Sequence, residues 1–239
     1  MTGVQTCALP ISDLSNTNVC HVTCYSFAPL SGSGDGGGFD DQPRTTIEFL
    51  LGKEIRRSYL VIKSDERREI QCIAAGAAWS DSANMVTVTK YNTSGAFAGQ
   101  PTSVSHADGT LTLYSYATNS TQRTITVWTG QPNGGGTAVD AGTKTVRVES
   151  LGGIPISITT YDIASNIKTG ETIHSDFDDE QRPRRTDFLD GTYEVRSYGC
   201  CGLESLTDRM GVTTSYTYDA LGRQNVSTRL GISSFQHLD

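Results

Sequence analysis

The first residues with the spacing of a chemical site are Cys20, His21 and Cys24, which could serve as metal ligands. A structural zinc site takes four such ligands. The sequence contains no second cluster of this kind to complete the set. We therefore interpret these cysteines as free thiols and predict no metal site.

A second candidate is the adjacent pair Cys200 and Cys201, which lies between Gly199 and Gly202. A disulfide between neighbouring cysteines is strained, so ordinary thiols are the favoured interpretation. A redox role stays open, because a thiolate flanked by glycine would be accessible to solvent.

Carboxylates and histidines supply the remaining candidates. The acidic run at residues 176–180 could hold calcium, which binds several carboxylate and carbonyl oxygens, but it lacks the D-x-D-x-D-G order of a calcium loop and fits a solvated turn. The sequence places no two carboxylates at the separation that a glycosidase needs. His106, His174 and His237 stand singly, without a serine or cysteine partner. We predict no catalytic residue and no cofactor, and we expect that the chain is not an enzyme.

Composition and charge narrow the class of protein. The chain has 239 residues, 25 of them glycine, and a net charge of −7. This acidic balance argues against nucleic-acid binding, which needs clustered Lys and Arg. No apolar run approaches the roughly 18 residues of a membrane-spanning helix.

The first eleven residues, MTGVQTCALPI, resemble the in-frame translation of a short-read sequencing adapter. We exclude residues 1–11 from fold reasoning for this reason. We expect the natural N-terminus, with any export signal, to be absent from this sequence.

The strongest structural signal is the stretch TTSYTYDALGRQNVSTRLG at residues 213–231. It predicts a β-hairpin with Tyr216 and Tyr218 on one face of the first strand. Asp219 and Gly222 occupy the first and fourth positions of the turn, as a type I turn prefers. Arg223 then opens the return strand.

The same pattern recurs along the chain, which indicates an internal repeat. A tyrosine follows a glycine by seven residues at Gly109 to Tyr116, Gly191 to Tyr198 and Gly211 to Tyr218. The Tyr-Asp half recurs at Phe177, Asp178 and Arg182, more weakly at Tyr161-Asp162, and at Tyr91-Asn92 with Gly95 in the glycine position. The aromatic positions 161, 177, 198 and 218 lie about 20 residues apart, which is the length of two strands and two tight turns.

The predicted organisation has four parts. After the adapter-like segment, residues 12–43 form a flexible leader rich in Gly, Ser and Asp. Residues 44–84 form an irregular β-strand region, in which we predict residues 69–78 as a strand although their alanines also suit a helix. Residues 85–239 carry degenerate repeats, with a long loop at residues 131–142.

These motifs resemble the YD repeat of RHS-type proteins, whose pattern is G-x-x-x-x-x-Y-x-Y-D-x-x-G-R. The resemblance is specific over residues 191–231 and departs from the pattern where Phe177 replaces Tyr, Asn92 replaces Asp and Gln181 replaces Gly. It implies an all-β fold of tandem antiparallel hairpins, which form an extended, curved sheet belonging to a spiral or shell. It assigns a structural role to eleven motif residues: Phe177, Asp178, Arg182, Gly191, Tyr198, Gly211, Tyr216, Tyr218, Asp219, Gly222 and Arg223.

The resemblance also implies a function. We expect a segment of a secreted or cell-surface bacterial protein, with a scaffold role in toxin delivery or cell–cell interaction. Its partners would be the other repeats of a longer chain and an enclosed C-terminal effector. The alternative is a carbohydrate- or cell-surface-binding module in which exposed tyrosines, Trp79 and Trp128 stack on sugar rings. A third option, a hydrolase, would need a concave pocket with two converging carboxylates, or a His beside a nucleophile.

Overall fold

The structure is a computed structural model that describes residues 6–8, 21–26 and 44–236. Every helix or strand element in these ranges is a β-strand, so the all-β prediction is confirmed. The same ranges contain no helix with the length and apolar character needed to cross a membrane. Apart from residues 6–8 and 21–26, the adapter-like segment and the predicted leader lie outside the described residues.

Eighteen strands are described, numbered in chain order. They are β1 (Thr6–Ala8), β2 (His21–Ser26), β3 (Arg44–Leu50), β4 (Lys53–Ile62), β5 (Glu66–Gln71), β6 (Met85–Tyr91), β7 (Pro101–Ser105), β8 (Leu111–Thr118), β9 (Gln122–Pro132), β10 (Val139–Ser150), β11 (Pro155–Asp162), β12 (Lys168–Phe177), β13 (Pro183–Phe188), β14 (Tyr193–Tyr198), β15 (Leu203–Thr207), β16 (Thr213–Tyr218), β17 (Gln224–Arg229) and β18 (Ile232–Phe235).

The chain divides into two compact units. Unit 1 comprises Met1–Tyr114 and Thr129–Asp140, and unit 2 comprises Ser115–Trp128 and Ala141–Asp239. In unit 1, β1 to β8 pair in sequence order, each antiparallel to the next. In unit 2, β10 to β18 pair in the same way. The predicted run of antiparallel hairpins is therefore present, while the curvature of a larger sheet stays a prediction.

Strand β16 shows why these sequences form strands. Side chains alternate between the two faces of a strand, and in β16 Thr214, Tyr216 and Tyr218 lie on the more buried face while Thr213, Ser215 and Thr217 are exposed. Threonine and tyrosine suit such a half-covered, pleated surface.

The two units differ in what they bury. The fully buried apolar side chains of the described residues are Tyr59, Ile70, Leu111 and Val139, and all four belong to unit 1. The described side chains that are fully buried in unit 2 are polar: Glu149, Asp178, Thr186 and Thr214. Unit 2 must therefore draw more of its stability from hydrogen bonds and ion pairs.

One strand prediction and one loop prediction need correction. The strand predicted at residues 69–78 ends at Gln71, and turns and bends occupy residues 72–84. The alanines after Gln71 offer little apolar surface for a strand to bury, and Gly76 has a left-handed φ of 72°. The loop predicted at residues 131–142 is also shorter than expected, because β9 continues to Pro132 and β10 begins at Val139.

Candidate functional site

The turn between β16 and β17 is held by the side chain of Asp219, the first residue of the turn. The Gly222 N–H donates to the Asp219 carbonyl at 3.0 Å, and the Asp219 N–H donates to the Arg223 carbonyl at 2.9 Å. Asp219 Oδ1 accepts bonds from the N–H groups of Leu221 and Arg223, both at 2.9 Å. Its Oδ2 accepts a bond from Arg223 Nε at 2.8 Å. Asp, Gly and Arg of the motif thus form one hydrogen-bonded turn.

The turn between β12 and β13 repeats this arrangement. Asp178 accepts from the Arg182 N–H and from Arg182 Nε, both at 2.7 Å. The Gln181 N–H donates to the Asp178 carbonyl at 2.9 Å. Gln181 takes the place of Gly222 and adopts φ of 64°, close to the 75° of Gly222. A residue with a Cβ is strained there by about 1–2 kcal/mol. The backbone geometry of the turn is nevertheless kept where glutamine replaces glycine.

The same five-residue turn occurs six times in the described residues. In each copy the first N–H donates to the fifth carbonyl, the fourth N–H donates to the first carbonyl, and the fourth residue has positive φ. This is a type I turn closed by a residue in the left-handed conformation, a common connection between antiparallel strands. The copies span residues 106–110, 150–154, 178–182, 188–192, 208–212 and 219–223.

This finding unites the two halves of the sequence motif. Gly191 and Gly211, from the Gly-to-Tyr half, sit at the fourth position of their turns, as Gly222 does in the Tyr-Asp half. Consecutive turns of an antiparallel meander lie at opposite ends of the strands, and we call these two rows of turns the two edges of the unit. One turn geometry therefore serves both edges of unit 2.

Two weaker copies differ from the sequence alignment. The Asn92 carbonyl accepts from the Gly99 N–H at 2.8 Å, and the Asn92 N–H donates to the Gln100 carbonyl at 2.9 Å. Gly99 is thus the counterpart of Gly222, which corrects the assignment of that position to Gly95. The other weak copy, at Asp162, is one residue longer, with the Asp162 N–H donating to the Ile167 carbonyl at 2.9 Å.

The Asp162 turn also lies at the opposite edge of unit 2 from the Asp178 turn. Only β12 separates the two turns, whereas β13 and β14 separate the Asp178 turn from Cys200 and Cys201. The spacing of 16 residues between Tyr161 and Phe177 therefore covers a single strand. Tyr161 is out of phase with the later repeats.

Tyrosines of the motif contact the turn of the preceding hairpin on the same edge. The Arg182 guanidinium lies over the Tyr198 ring, 4.4 Å from its centre. The Tyr218 hydroxyl donates to the Leu203 carbonyl at 2.8 Å. A Cβ added to Gly202 would lie 2.8 Å from that hydroxyl, closer than such atoms come. Each of these tyrosines therefore packs one hairpin against the last, while Phe177 and Tyr216 are half-buried within their strands.

On the other edge, arginines make the link between hairpins. Arg209 forms an ion pair with Asp190, donates to Thr192 Oγ1 at 2.8 Å, and lies over the Phe188 ring at 4.4 Å. Arg229 Nη2 pairs with Asp208 Oδ2 at 2.5 Å. Sequence reasoning did not find these residues. The available signal was the spacing of Asp190 from Arg209 and of Asp208 from Arg229, which is close to the repeat length.

The turn carboxylates are stabilised in the charged form. The backbone N–H of Arg223, followed by its guanidinium, holds the pKa of Asp219 below its usual value. The hydroxyl and N–H of Thr192, more than Arg209, lower the pKa of Asp190. Burial would raise the pKa of Asp178, but the hydrogen bonds from Arg182 outweigh it and the pKa lies below its usual value. Carboxylates of this kind are suited to holding turns and are poorly suited to donating protons at neutral pH.

The other candidates for chemistry are dispersed. His174 Nδ1 lies 3.1 Å from Thr186 Oγ1, and burial followed by the nearby Arg196 lowers its pKa. Within the described ranges no three His, Cys, Asp or Glu side chains form a group that could hold a metal ion. Cys20 lies outside the described residues, as do the side chains of His21 and Cys24, so the predicted thiols there stay a prediction.

An open groove on unit 1 was not expected from the sequence. It has a volume of about 240 Å³ and is lined by polar and apolar side chains of β3, β4 and β5, the apolar ones being Tyr59, Leu60 and Ile70. Of its arginines, Arg56 pairs with Glu48 at 3.6 Å and Arg67 with Glu69 at 2.6 Å. The charges of Arg56 and Arg67 at the groove are therefore each balanced by a glutamate.

Comparison with family models identifies a repeat within unit 2. Residues 203–231 match the family model described as the RHS repeat. This range includes the turns at residues 208–212 and 219–223 and the strands beside them. A search of the curated proteins found no match to the chain.

Proposed function

We propose that this chain, a member of the RHS/YD-repeat family, is a structural repeat segment of a secreted or cell-surface protein. The repeats build part of a β-shell or scaffold associated with toxin delivery or cell–cell interaction. In this proposal the segment has no catalytic activity of its own, and its partners are further repeats and an enclosed C-terminal effector.

The observation that carries the proposal is the reuse of one turn at six positions. An isolated hairpin is marginally stable in water, so a repeated hairpin needs neighbours. On one edge of unit 2 the contacts to neighbours are made by motif residues, such as Tyr198 with Arg182 and Tyr218 with Leu203. The residue types of the motif are therefore accounted for by architecture.

The carbohydrate-binding alternative requires several exposed rings on one face. Among the described aromatic side chains, the exposed ones are Tyr193 and Phe235, whereas Trp79 and Trp128 are half-buried. The Tyr193 ring is covered by the Arg185 guanidinium at 4.1 Å. These exposures support the scaffold proposal over a sugar-stacking surface. Binding of the protein to a glycan array, if Tyr193→Ala abolished it, would overturn that preference.

The decisive experiment is to read the contiguous coding sequence at the locus and then purify the full-length product. We expect further YD repeats, an export signal and a C-terminal domain of different composition, protected from protease until the repeats are cut. A reading frame without further repeats, or a C-terminal domain cleaved as fast as it is when expressed alone, would overturn the proposal.

A further inference from the structure

The turn between β14 and β15 differs from the other turns of unit 2 in the residues at its tip. Tyr198-Gly199-Cys200-Cys201-Gly202 occupies the positions of Tyr218-Asp219-Ala220-Leu221-Gly222. The Gly199 N–H donates to the Gly202 carbonyl at 2.9 Å. The Asp that begins the turns at Asp178, Asp208 and Asp219 is absent here, and two thiols lie at the tip of the turn.

The two thiols face each other and face solvent. Cys200 Sγ lies 3.0 Å from Cys201 Sγ, and both residues are exposed and free. A disulfide bond is about 2.0 Å long, so closure needs a movement of about 1 Å. The flanking glycines give the turn the backbone freedom for that movement.

We propose that Cys200 and Cys201 form a modification site, a thiol pair that a low-molecular-weight disulfide oxidises to a vicinal disulfide. One cysteine thiolate attacks the small disulfide, which releases one small thiol and leaves a mixed disulfide. The second thiolate then attacks the cysteine sulfur of that mixed disulfide and releases the second small thiol. Two cysteine thiols are oxidised, one small disulfide is reduced to two thiols, and both cysteine protons pass to the released thiolates.

Protonation sets the pace of this reaction. A hydrogen bond with Cys200, and next its charge, raise the pKa of the Cys201 thiol. The thiolate is the attacking species, so oxidation is slow at neutral pH and quickens as the pH rises. The strain of a vicinal disulfide makes it easy to reduce, so the pair is reversible.

Oxidation at this turn reaches the next hairpin through Gly202. The Tyr218 hydroxyl and ring lie so close to Gly202 that a Cβ there would stand 2.8 Å from the hydroxyl. A Cβ on Gly199 would overlap the Glu204 carboxyl. The Glu204 side chain is flexible and can move aside, whereas the Tyr218 ring lies against Gly202, so we expect a change in the turn backbone to displace Tyr218 from the Leu203 carbonyl.

The test uses the full chain with its other four cysteines replaced by serine (Cys7→Ser, Cys20→Ser, Cys24→Ser and Cys72→Ser). The protein is equilibrated at graded ratios of oxidised to reduced glutathione and quenched with iodoacetamide. The mass of the intact protein is then measured by mass spectrometry. We expect both alkylation sites to disappear together with the loss of two hydrogens. Adding Cys200→Ser or Cys201→Ser should leave only a glutathione adduct. The same adduct in the parent, without the two-hydrogen loss, would overturn the proposal.

A second measurement follows the coupling to the next hairpin. The ring resonances of Tyr218 are compared between the oxidised and reduced protein, with Tyr216 as the internal control. We expect Tyr218 to shift and Tyr216 to stay. Unchanged Tyr218 resonances in protein shown by mass to be oxidised would refute the coupling to Tyr218.

Discussion

The two units of this chain are built from the same antiparallel meander but bury different chemistry. Unit 1 buries apolar side chains such as Ile70, which is 3% exposed. Unit 2 buries Thr186 and Glu149 instead, the latter paired with both Arg123 and Arg147. Its hairpins are joined at their turns by Tyr218, Arg209 and Arg229.

The difference shows how a repeat can be stable with little apolar core. Apolar burial depends on side chains that meet from several strands, and each such set must be packed as a whole. A contact between successive turns involves only two hairpins, so it can be repeated without limit along the chain. Unit 2 uses the second solution, and it contains residues 203–231, which match the family model.

The largest expected effect tests the apolar part of the comparison. Ile70→Ala should destabilise unit 1 by about 3 kcal/mol, because the deletion leaves a cavity in a packed site. Ile173→Ala is the matched control in unit 2, since Ile173 is 38% exposed and should change stability little. Thermal melts followed by circular dichroism measure both. Equal losses would contradict the assignment of the apolar core to unit 1.

The next effect tests the turn contacts of unit 2. Gly202→Ala should cost roughly 2–3 kcal/mol, because the new Cβ meets the Tyr218 hydroxyl and the backbone has φ of 147°. Gly222→Ala isolates the backbone contribution, since nothing lies within 4 Å of its Cβ position, and it should cost about 1 kcal/mol. Urea denaturation compares the two variants. A Gly222→Ala loss as large as that of Gly202→Ala would show that Tyr218 does not pack against the turn.

A gain in stability is expected at residues 178–182, the one copy among the six described turns that lacks glycine. Gln181→Gly should stabilise unit 2 by about 0.5 kcal/mol, since relief of left-handed strain exceeds the added backbone entropy of glycine. The control is Gln122→Gly, in β9, which should destabilise. The midpoint of urea unfolding would report both signs.

The smallest effect concerns charge. The pKa of Asp190 is lowered on folding, so its contribution to stability is present at neutral pH and is lost as the pH falls below about 4. Thr192→Val should raise that pKa more than Arg209→Ala does, because the hydrogen bond from the Thr192 hydroxyl, which valine cannot make, is the largest single cause. NMR titration of the Asp190 carboxyl carbon measures the shift. A larger rise of the pKa in Arg209→Ala would show that the ion pair with Arg209 is the main cause of the low pKa of Asp190.

The sequence was sufficient to predict contacts inside a turn and insufficient to predict contacts between turns. Asp219, Gly222 and Arg223 are neighbours in the chain, so their residue types determine which groups can meet. Arg209 and Asp190 meet only because two hairpins lie side by side, and spacing alone does not tell which side chain reaches across.

Insertions were the other source of error. The turn that begins at Asn92 is four residues longer than the five-residue turn, so its closing glycine is Gly99 and not Gly95. The alanines after Gln71 carry no period that distinguishes a strand from a turn. In both cases the local pattern was ambiguous, and hydrogen bonds with more distant residues decided the structure.

The short reach of the links in unit 2 has a consequence for how the chain acquires its structure. The partners Leu203 and Tyr218 are 15 residues apart, Asp190 and Arg209 are 19 apart, and Asp208 and Arg229 are 21 apart. Contacts this local close with little loss of chain entropy. A polypeptide emerging from a ribosome can therefore complete each hairpin about 20 residues after it begins, without waiting for the rest of the sequence.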